Sequence, residues 1–187
     1  YACWTKVLQD RERSSSGGAF SVLAKKILRE GGIVYGASMC EDLQVRHIGI
    51  ESLDKIILLQ GSKYLQSCMD DVYKDVKKQL QGGRKVLFTG TPCQIGGLLT
   101  FLHRAYDNLY TCDVVCHGVP SQKAFDIYID KIGLRGKCKN FNFRFTEGWG
   151  YQLSRQLVPP TKNKIPAKII ISPKKSYYLR AFTKGLM

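Results

Sequence analysis

The sequence predicts an α/β fold with a partly parallel mixed sheet, flanking helices and a β-rich C-terminal part. Residues 85–90 (KVLFTG) form a nearly all-apolar run, which is typical of a strand covered on both faces. A helical pattern at 94–106 and a strand pattern at 108–116 follow, so strand and helix alternate here. From residue 138 onward, short alternating segments predict strands at 139–145, 151–158 and 167–172.

The other elements are predicted from the same two periodicities. Helices are predicted where apolar residues recur at spacings of three and four, at 14–31, 69–81, 121–133 and 176–187. Ser14, Ser15 and Ser16 would cap the first helix, and Gly31 would end it. Residues 33–39 and 44–50 predict a strand pair joined by a turn.

Composition narrows the possible classes of protein. With 187 residues and 44% hydrophobic content, the chain can form one domain or slightly more, with a real core. No apolar stretch approaches the roughly 20 residues of a membrane span, and no secretory signal is visible, so we expect a cytoplasmic protein. The glycine-rich stretch at 133–137 predicts a division into an α/β part, 1–135, and the beginning of a C-terminal part, 136–187.

The formal net charge of +14 indicates affinity for anions such as phosphorylated cofactors, nucleic acid or an acidic protein. A lysine-rich solvated surface explains the same charge without any partner. The sequence contains no nucleic-acid recognition motif, so a basic nucleic-acid-binding module stays a less favoured alternative.

Two of the seven cysteines, Cys93 and Cys116, follow the ends of predicted strands. In a right-handed βαβ unit the loops that leave neighbouring parallel strands share one edge of the sheet, where ligands bind. Cys93 also lies at the start of the next helix, where free N–H groups favour a thiolate over a thiol. The odd number of cysteines and the absence of any C-x-x-C argue against a disulfide framework and a zinc ribbon.

Three interpretations of these cysteines remain open. Cys93 and Cys116 can both be small buried hydrophobic residues. We favour that interpretation for a third cysteine, Cys112, which lies within a predicted strand. Cys93 can be a nucleophile with His117 as its base, which would indicate a cysteine-dependent hydrolase or transferase. Both can be iron–sulfur ligands, in which case two further thiolates come from elsewhere. His47 and His103 are interpreted as surface or packing residues.

Two loops offer contacts to a phosphorylated ligand. The SSSGG stretch, 14–18, places hydroxyls and bare glycine backbone at a helix start, which suits a phosphate, although a helix cap explains part of it. In QGSKYLQS, 60–67, Lys63 can meet a phosphate or a flavin carbonyl and Tyr64 can stack on a ring.

Six motifs occur in one order along the chain: SSSGGAF, GGIVYGA, V-x-H at 45–47, GSKYLQS, GTPCQIGGL and D-x-x-C-HGVPS. In this order they resemble the coenzyme F420 hydrogenase/dehydrogenase beta-subunit family. The resemblance extends from Tyr1 through Ser121 and continues more loosely to the end of the chain.

The resemblance implies an oxidoreductase subunit that binds FAD and a [4Fe-4S] cluster. Such a subunit passes electrons between the cluster, the flavin and a hydride-carrying acceptor such as coenzyme F420. Cys93 and Cys116 correspond to cluster ligands. The resemblance implies cofactor contacts from Ser16, Gly17, Gly18, Ser62, Lys63, Tyr64, Thr91, Gln94 and His117.

The family pattern also extends beyond this chain. Its members usually continue past the position of Leu186 into a cysteine-bearing segment, and often carry a ferredoxin-like domain ahead of the position of Tyr1. The resemblance therefore implies a fragment that is inactive alone, and a redox partner protein or ferredoxin-like domain that works with it.

Overall fold

The computed structural model describes residues 2–144, 153–157, 168–171 and 176–186, with the backbone alone at 138–140, 153–157 and 168–171. The chain forms two compact units, and each is built from separate stretches of sequence. Unit 1 comprises Tyr1–Ser38, Arg46–Gln60 and Ser67–Cys116. Unit 2 comprises Met39–Val45, Gly61–Gln66 and His117–Met187. The predicted division at residue 135 stays a prediction.

A four-stranded mixed sheet with the order β2-β1-β3-β4 organises unit 1. Its strands are β1 Ile33–Met39, β2 Val45–Ile50, β3 Val86–Gly90 and β4 Leu109–Asp113. Strand β3 runs parallel to both of its neighbours, β1 and β4. The β-α-β arrangement predicted from the apolar runs is therefore confirmed.

Helices cover both faces of this sheet because residues on each strand alternate in direction. The helices of unit 1 are α1 Leu8–Glu12, α2 Ala19–Arg29, α3 Ile56–Leu59, α4 Val72–Gln81 and α5 Pro92–Leu102. Val34 and Leu87 form one hydrophobic core with Ala24 of α2. On the opposite face, Phe88 forms the second core with α4 and with Leu98 of α5.

Unit 2 is held together by aromatic side chains. Its elements are α6 Gln122–Lys131, β5 Cys138–Asn142, β6 Leu153–Leu157, β7 Lys168–Ile171 and α7 Tyr177–Thr183. The three strands form an antiparallel sheet in sequence order. The Phe125 ring meets the Phe143 and Tyr178 rings at centroid distances of 5.5 and 5.3 Å.

The structure confirms the predicted α/β class and corrects one helix. Helix α2 begins at Ala19 rather than Ser14, because Gly18 takes a left-handed conformation (φ 81°) and becomes the N-cap. The short helices α1 and α3 were not predicted. Much of the predicted β-rich C-terminal part lies outside the described residues, so that part of the prediction stays open. Within the described residues, no helix is long and apolar enough to cross a bilayer.

Candidate functional site

Cys93 and Cys116 follow the carboxyl ends of two neighbouring parallel strands. Gly90 at the end of β3 pairs with Asp113 at the end of β4, and each cysteine lies three residues beyond its strand. The N–H of Val114 donates to the carbonyl of Gly90 across 3.0 Å, which ties the two loops together at their start. Both thiols are exposed. The pairing brings both loops to one edge of the sheet, as the sequence pattern predicted.

The turn that carries Cys93 is closed by a capping box. Thr91 is the N-cap of α5 and Pro92 its first residue. The side-chain oxygen of Gln94 accepts a hydrogen bond from the N–H of Thr91 at 3.0 Å. The Thr91 hydroxyl lies 3.0 Å from the Cys93 sulfur. Thr91 and Gln94 therefore have local roles in shaping the turn, in addition to the cofactor contacts that the resemblance implies.

A chain of buried hydrogen bonds lies behind this turn. The amide nitrogen of Gln94 donates to the hydroxyl of Ser67 at 2.8 Å. That hydroxyl lies 2.7 Å from Nδ1 of His47, and Nε2 of His47 lies 2.9 Å from the carbonyl of Thr89. His47 and Ser67 are 4% and 6% exposed. The chain thus links β2, the segment before α4, β3 and the start of α5.

The direction of every donation in this chain follows from its two ends. A carbonyl accepts only, so Nε2 of His47 carries the proton that is donated to Thr89. Nδ1 of the neutral imidazole then accepts from the Ser67 hydroxyl. Gln94 accepts from Thr91 with its oxygen, so its nitrogen is the group that donates to Ser67. Each of these hydrogen-bonding groups is satisfied with His47 neutral.

Space for this arrangement comes from Gly90. A Cβ at Gly90 would lie 2.9 Å from the side-chain oxygen of Gln94 and 3.4 Å from Nε2 of His47. From the other side, the Tyr73 hydroxyl donates to the backbone carbonyl of Gln94 at 2.7 Å. Burial raises the pKa of the Tyr73 phenol, and the nearby charge of Cys93 adds to the effect. The glycine of TGTPCQ is therefore explained by packing.

Sequence reasoning missed the part played by His47, which is fully buried between strands and hydrogen-bonded at both ring nitrogens. Its ring also stacks on Phe88 at a centroid distance of 5.4 Å. One signal was available: Val45 and His47 occupy the same face of a strand, and a polar residue on an inward face needs partners. His103, in contrast, is exposed at the C-cap of α5 with φ 58°, which agrees with its interpretation as a surface or packing residue.

The glycines of SSSGG pack against the start of the chain. The N–H of Thr5 donates to the carbonyl of Gly17 at 2.7 Å. A Cβ at Gly17 would lie 2.6 Å from the carbonyl oxygen of Cys3, and one at Gly18 would lie 2.7 Å from the Thr5 methyl. Packing alone therefore accounts for both glycines. Ser16 is exposed beside them, and a phosphate contact by these residues stays a prediction.

Four of the predicted flavin contacts belong to unit 2: Ser62, Lys63, Tyr64 and His117. The Tyr64 ring stacks on Phe182 at 4.4 Å, and the His117 ring lies 4.8 Å from the same phenylalanine. Lys63 is half-buried, and removal of its amine from water lowers its pKa from 10.5 to about 7. Tyr64 and His117 thus share one aromatic neighbour, whereas the hypothetical pair of Cys93 and His117 is divided between the units and stays a hypothesis.

The donors in the described residues fit part of an iron–sulfur site. Two exposed thiols at one sheet edge suit two of the four thiolates that a [4Fe-4S] cluster takes. No group of three or more His, Cys, Asp or Glu side chains among the described residues lies together in a way that could hold a metal ion. Cys112 packs half-buried against the core, and burial raises the pKa of its thiol, as expected for a packing residue. The described part of the chain therefore does not supply a full set of ligands.

Comparison with known proteins identifies a solved structure with a similar fold. No curated protein matches the sequence. A solved structure of the xenon-derivatised F420-reducing nickel–iron hydrogenase complex from Methanosarcina barkeri contains a similar chain, with a TM-score of 0.59 and 16% identity. The match covers 95% of this chain and 62% of that chain, so this chain spans about three fifths of its length. This likeness shows the fold alone.

The sequence match extends over both cysteine loops, the α5 helix between them and α6. Residues 83–175 match the family described as the C terminus of the beta subunit of coenzyme F420 hydrogenase/dehydrogenase. Through this region, the chain belongs to the coenzyme F420 hydrogenase/dehydrogenase beta-subunit family.

Proposed function

We propose that this chain is part of an iron–sulfur flavoprotein oxidoreductase, in which Cys93 and Cys116 are two of the thiolate ligands of a [4Fe-4S] cluster. The observation that carries the proposal is the placement of two exposed thiols beyond the paired ends of β3 and β4. Loops at the carboxyl ends of parallel strands are where ligands bind in α/β sheets. The family match spans both loops.

The proposed protein also binds FAD and exchanges electrons with a hydride-carrying acceptor such as coenzyme F420. The family description and the similar hydrogenase chain support this class of acceptor. We assign flavin contacts to Ser62, Lys63, Tyr64 and His117, and also to Ser16, Gly17, Gly18, Thr91 and Gln94. Lys63, with its lowered pKa, offers an amine beside the aromatic Tyr64. A redox partner protein or a ferredoxin-like domain would supply or accept the electrons.

Anaerobic reconstitution of the full-length protein with iron and sulfide tests the ligand assignment. We expect Cys93→Ala and Cys116→Ala each to lose bound iron and the visible charge-transfer absorption of thiolate-bound iron. Cys68→Ala is the matched control, because Cys68 is an exposed cysteine of the same unit that donates to Asp70 at 2.9 Å. If both loop variants retain the iron content of the control, the assignment is wrong.

The flavin assignment has a separate test. Lys63→Met is expected to weaken FAD binding, measured by quenching of flavin fluorescence on titration with protein. Lys123→Met is the control, because Lys123 is an exposed lysine of α6. Equal FAD affinity in the two variants would remove Lys63 from the site.

A further inference from the structure

We infer that His47 and Ser67 are positioning residues for Cys93: the buried hydrogen-bond chain that they form holds the turn in which the thiol lies. The inference rests on the proposed function, since it takes the geometry of Cys93 to matter for ligation. Neither residue is within the cysteine loop, and neither is a proposed ligand. They act on Cys93 through Gln94.

Gln94 is the point at which the chain reaches the turn. Its side chain spans the gap between the Thr91 N–H, at 3.0 Å, and the Ser67 hydroxyl, at 2.8 Å. Cys93 lies between the two capping residues, with its sulfur 3.0 Å from the Thr91 hydroxyl. A shift of the Gln94 amide therefore disturbs Thr91 and Gln94, the two capping residues on either side of Cys93.

His47 sets the orientation of Ser67, and Ser67 sets that of Gln94. Nδ1 of the imidazole accepts a hydrogen bond from the Ser67 hydroxyl. The serine oxygen is then free to accept a hydrogen bond from the Gln94 amide. Without an acceptor at position 47, the serine hydroxyl loses its hydrogen-bond partner at a site where both residues are buried. The disturbance is then one hydrogen bond away from Gln94.

The imidazole is itself held firmly, so it can serve as a fixed reference for the turn. In the pairing of β1 with β3, the last pair of residues is Tyr35 and Phe88. The next carbonyl of β3, that of Thr89, receives its hydrogen bond from His47, and Phe88 stacks against the ring. The rest of the sheet is stabilised by its two hydrophobic cores. Loss of the chain is therefore expected to loosen the Cys93 turn locally rather than to unfold unit 1.

The test measures the reactivity of the thiol in the protein without iron. The variants are His47→Leu and Ser67→Ala, and the readout is the rate of iodoacetamide alkylation at Cys93 divided by that at Cys116 in the same molecules. We expect the ratio to rise about 3- to 10-fold, which corresponds to about one hydrogen bond, because a loosened turn releases the Cys93 sulfur from the Thr91 hydroxyl. General unfolding would also raise the alkylation rate at half-buried Cys112. Because we expect a local change only, the rate at Cys112 is expected to stay constant. A ratio within about twofold of the parent in both variants would overturn the inference.

A rescue variant separates positioning from bulk or packing. In His47→Gln, the amide offers one donor for Thr89 and one acceptor for Ser67, so the ratio is expected to return toward that of the parent. If His47→Gln behaves like His47→Leu, the hydrogen bonds are not what matters. Should His47→Leu fail to fold, Gln94→Leu cuts the same chain at its half-buried end and is expected to give the same rise.

Iron release distinguishes this inference from the proposed function. In the reconstituted full-length protein, His47→Leu is expected to lose iron to a chelator several-fold faster than the parent. If Cys93→Ala retains iron normally while the alkylation ratio still rises in His47→Leu, the positioning stands and the ligand role fails. If Cys93→Ala loses iron but His47→Leu releases it at the parent rate with an unchanged ratio, the ligand role stands and the positioning fails.

Discussion

The side-chain oxygen of Gln94 lies 3.0 Å from the backbone nitrogen of Thr91 and accepts its hydrogen bond, so the helix that carries Cys93 begins with a closed capping box. Such a box satisfies N–H groups that the first turn of a helix leaves without partners. It also fixes the position of the residue at the second place of the helix, which is Cys93.

Replacement of the cap is expected to weaken the protein. Thr91→Ala removes the side-chain oxygen and is expected to lower the free energy of unfolding by about 1 kcal/mol, measured by urea titration. Thr91→Ser keeps the oxygen and is expected to stay close to the parent. Thr100→Ala is the control in the same helix, because the Thr100 hydroxyl donates to the carbonyl of Gly96 one turn earlier. Equal losses at positions 91 and 100 would argue against the capping role.

Gly90 and Gly96 are expected to respond in opposite directions to the same change. Gly90→Ala places a methyl group 2.9 Å from the Gln94 oxygen and is expected to lower the free energy of unfolding by about 1–3 kcal/mol. Gly96→Ala meets nothing within 4 Å on an exposed helix face, and is expected to raise it by about 0.5–1 kcal/mol. Denaturation of both variants under one set of conditions checks the pair. A stabilising Gly90→Ala would show that the packing behind the turn is loose.

The lowered pKa of Lys63 predicts a pH dependence of stability. Its pKa is about 7 in the folded protein and near 10.5 in the unfolded chain, so between these values the unfolded chain binds more protons. The contribution of Lys63 to the free energy of unfolding therefore rises with pH from about 7 upward. Urea titrations from pH 7 to 9.5 are expected to show this rise in the parent and a flatter profile in Lys63→Met.

The pH range ends at 9.5 because burial raises the pKa of Tyr35 and Tyr178. At higher pH these two phenols lower the free energy of unfolding as the pH rises, which opposes the effect of Lys63. A control with Lys123→Met, an exposed lysine, is expected to keep the slope of the parent. If Lys63→Met also keeps it, the amine is protonated as readily in the folded protein as in the unfolded chain.

The cysteines of β4 and of the loop that follows it are expected to differ in reactivity. At pH 7, iodoacetamide is expected to modify exposed Cys116 at least about tenfold faster than Cys112, because burial raises the pKa of Cys112 and limits access. Site-resolved mass spectrometry gives both rates in one sample. In urea the two rates are expected to converge, and equal rates in the native protein would contradict the packing role of Cys112.

Local patterns were sufficient to predict the strands and the shared edge. The apolar run at 85–90 became β3, and the helix after it returned the chain to a parallel neighbour, because a crossover between parallel strands has one favoured hand. The two cysteines therefore reached the same edge although 22 residues separate them in sequence. Their placement depended on topology, which the periodicity encodes.

The features that could not be predicted depend on contacts between distant residues. Ser14 to Ser16 offered three caps for α2, but the contact of Thr5 with Gly17 and the left-handed Gly18 moved the helix start to Ala19. His47 finds its partners 20 and 42 residues away, at Ser67 and Thr89. The sequence around His47 does not indicate which residues those partners are. Only its inward position on β2 indicated that it needs partners.

The hydrogen bonds behind Cys93 also bear on the order in which the protein folds. A helix turn forms quickly from neighbouring residues, whereas contacts between distant segments form slowly because they close long loops. The segment that becomes α5 can thus coil before Ser67 and His47 arrive, and its first turn reaches its final shape only when β2, β3 and the Ser67 segment have assembled. Ser67→Ala is therefore expected to speed unfolding with little change in the refolding rate, and a slowed refolding limb would show that these contacts belong to the folding nucleus.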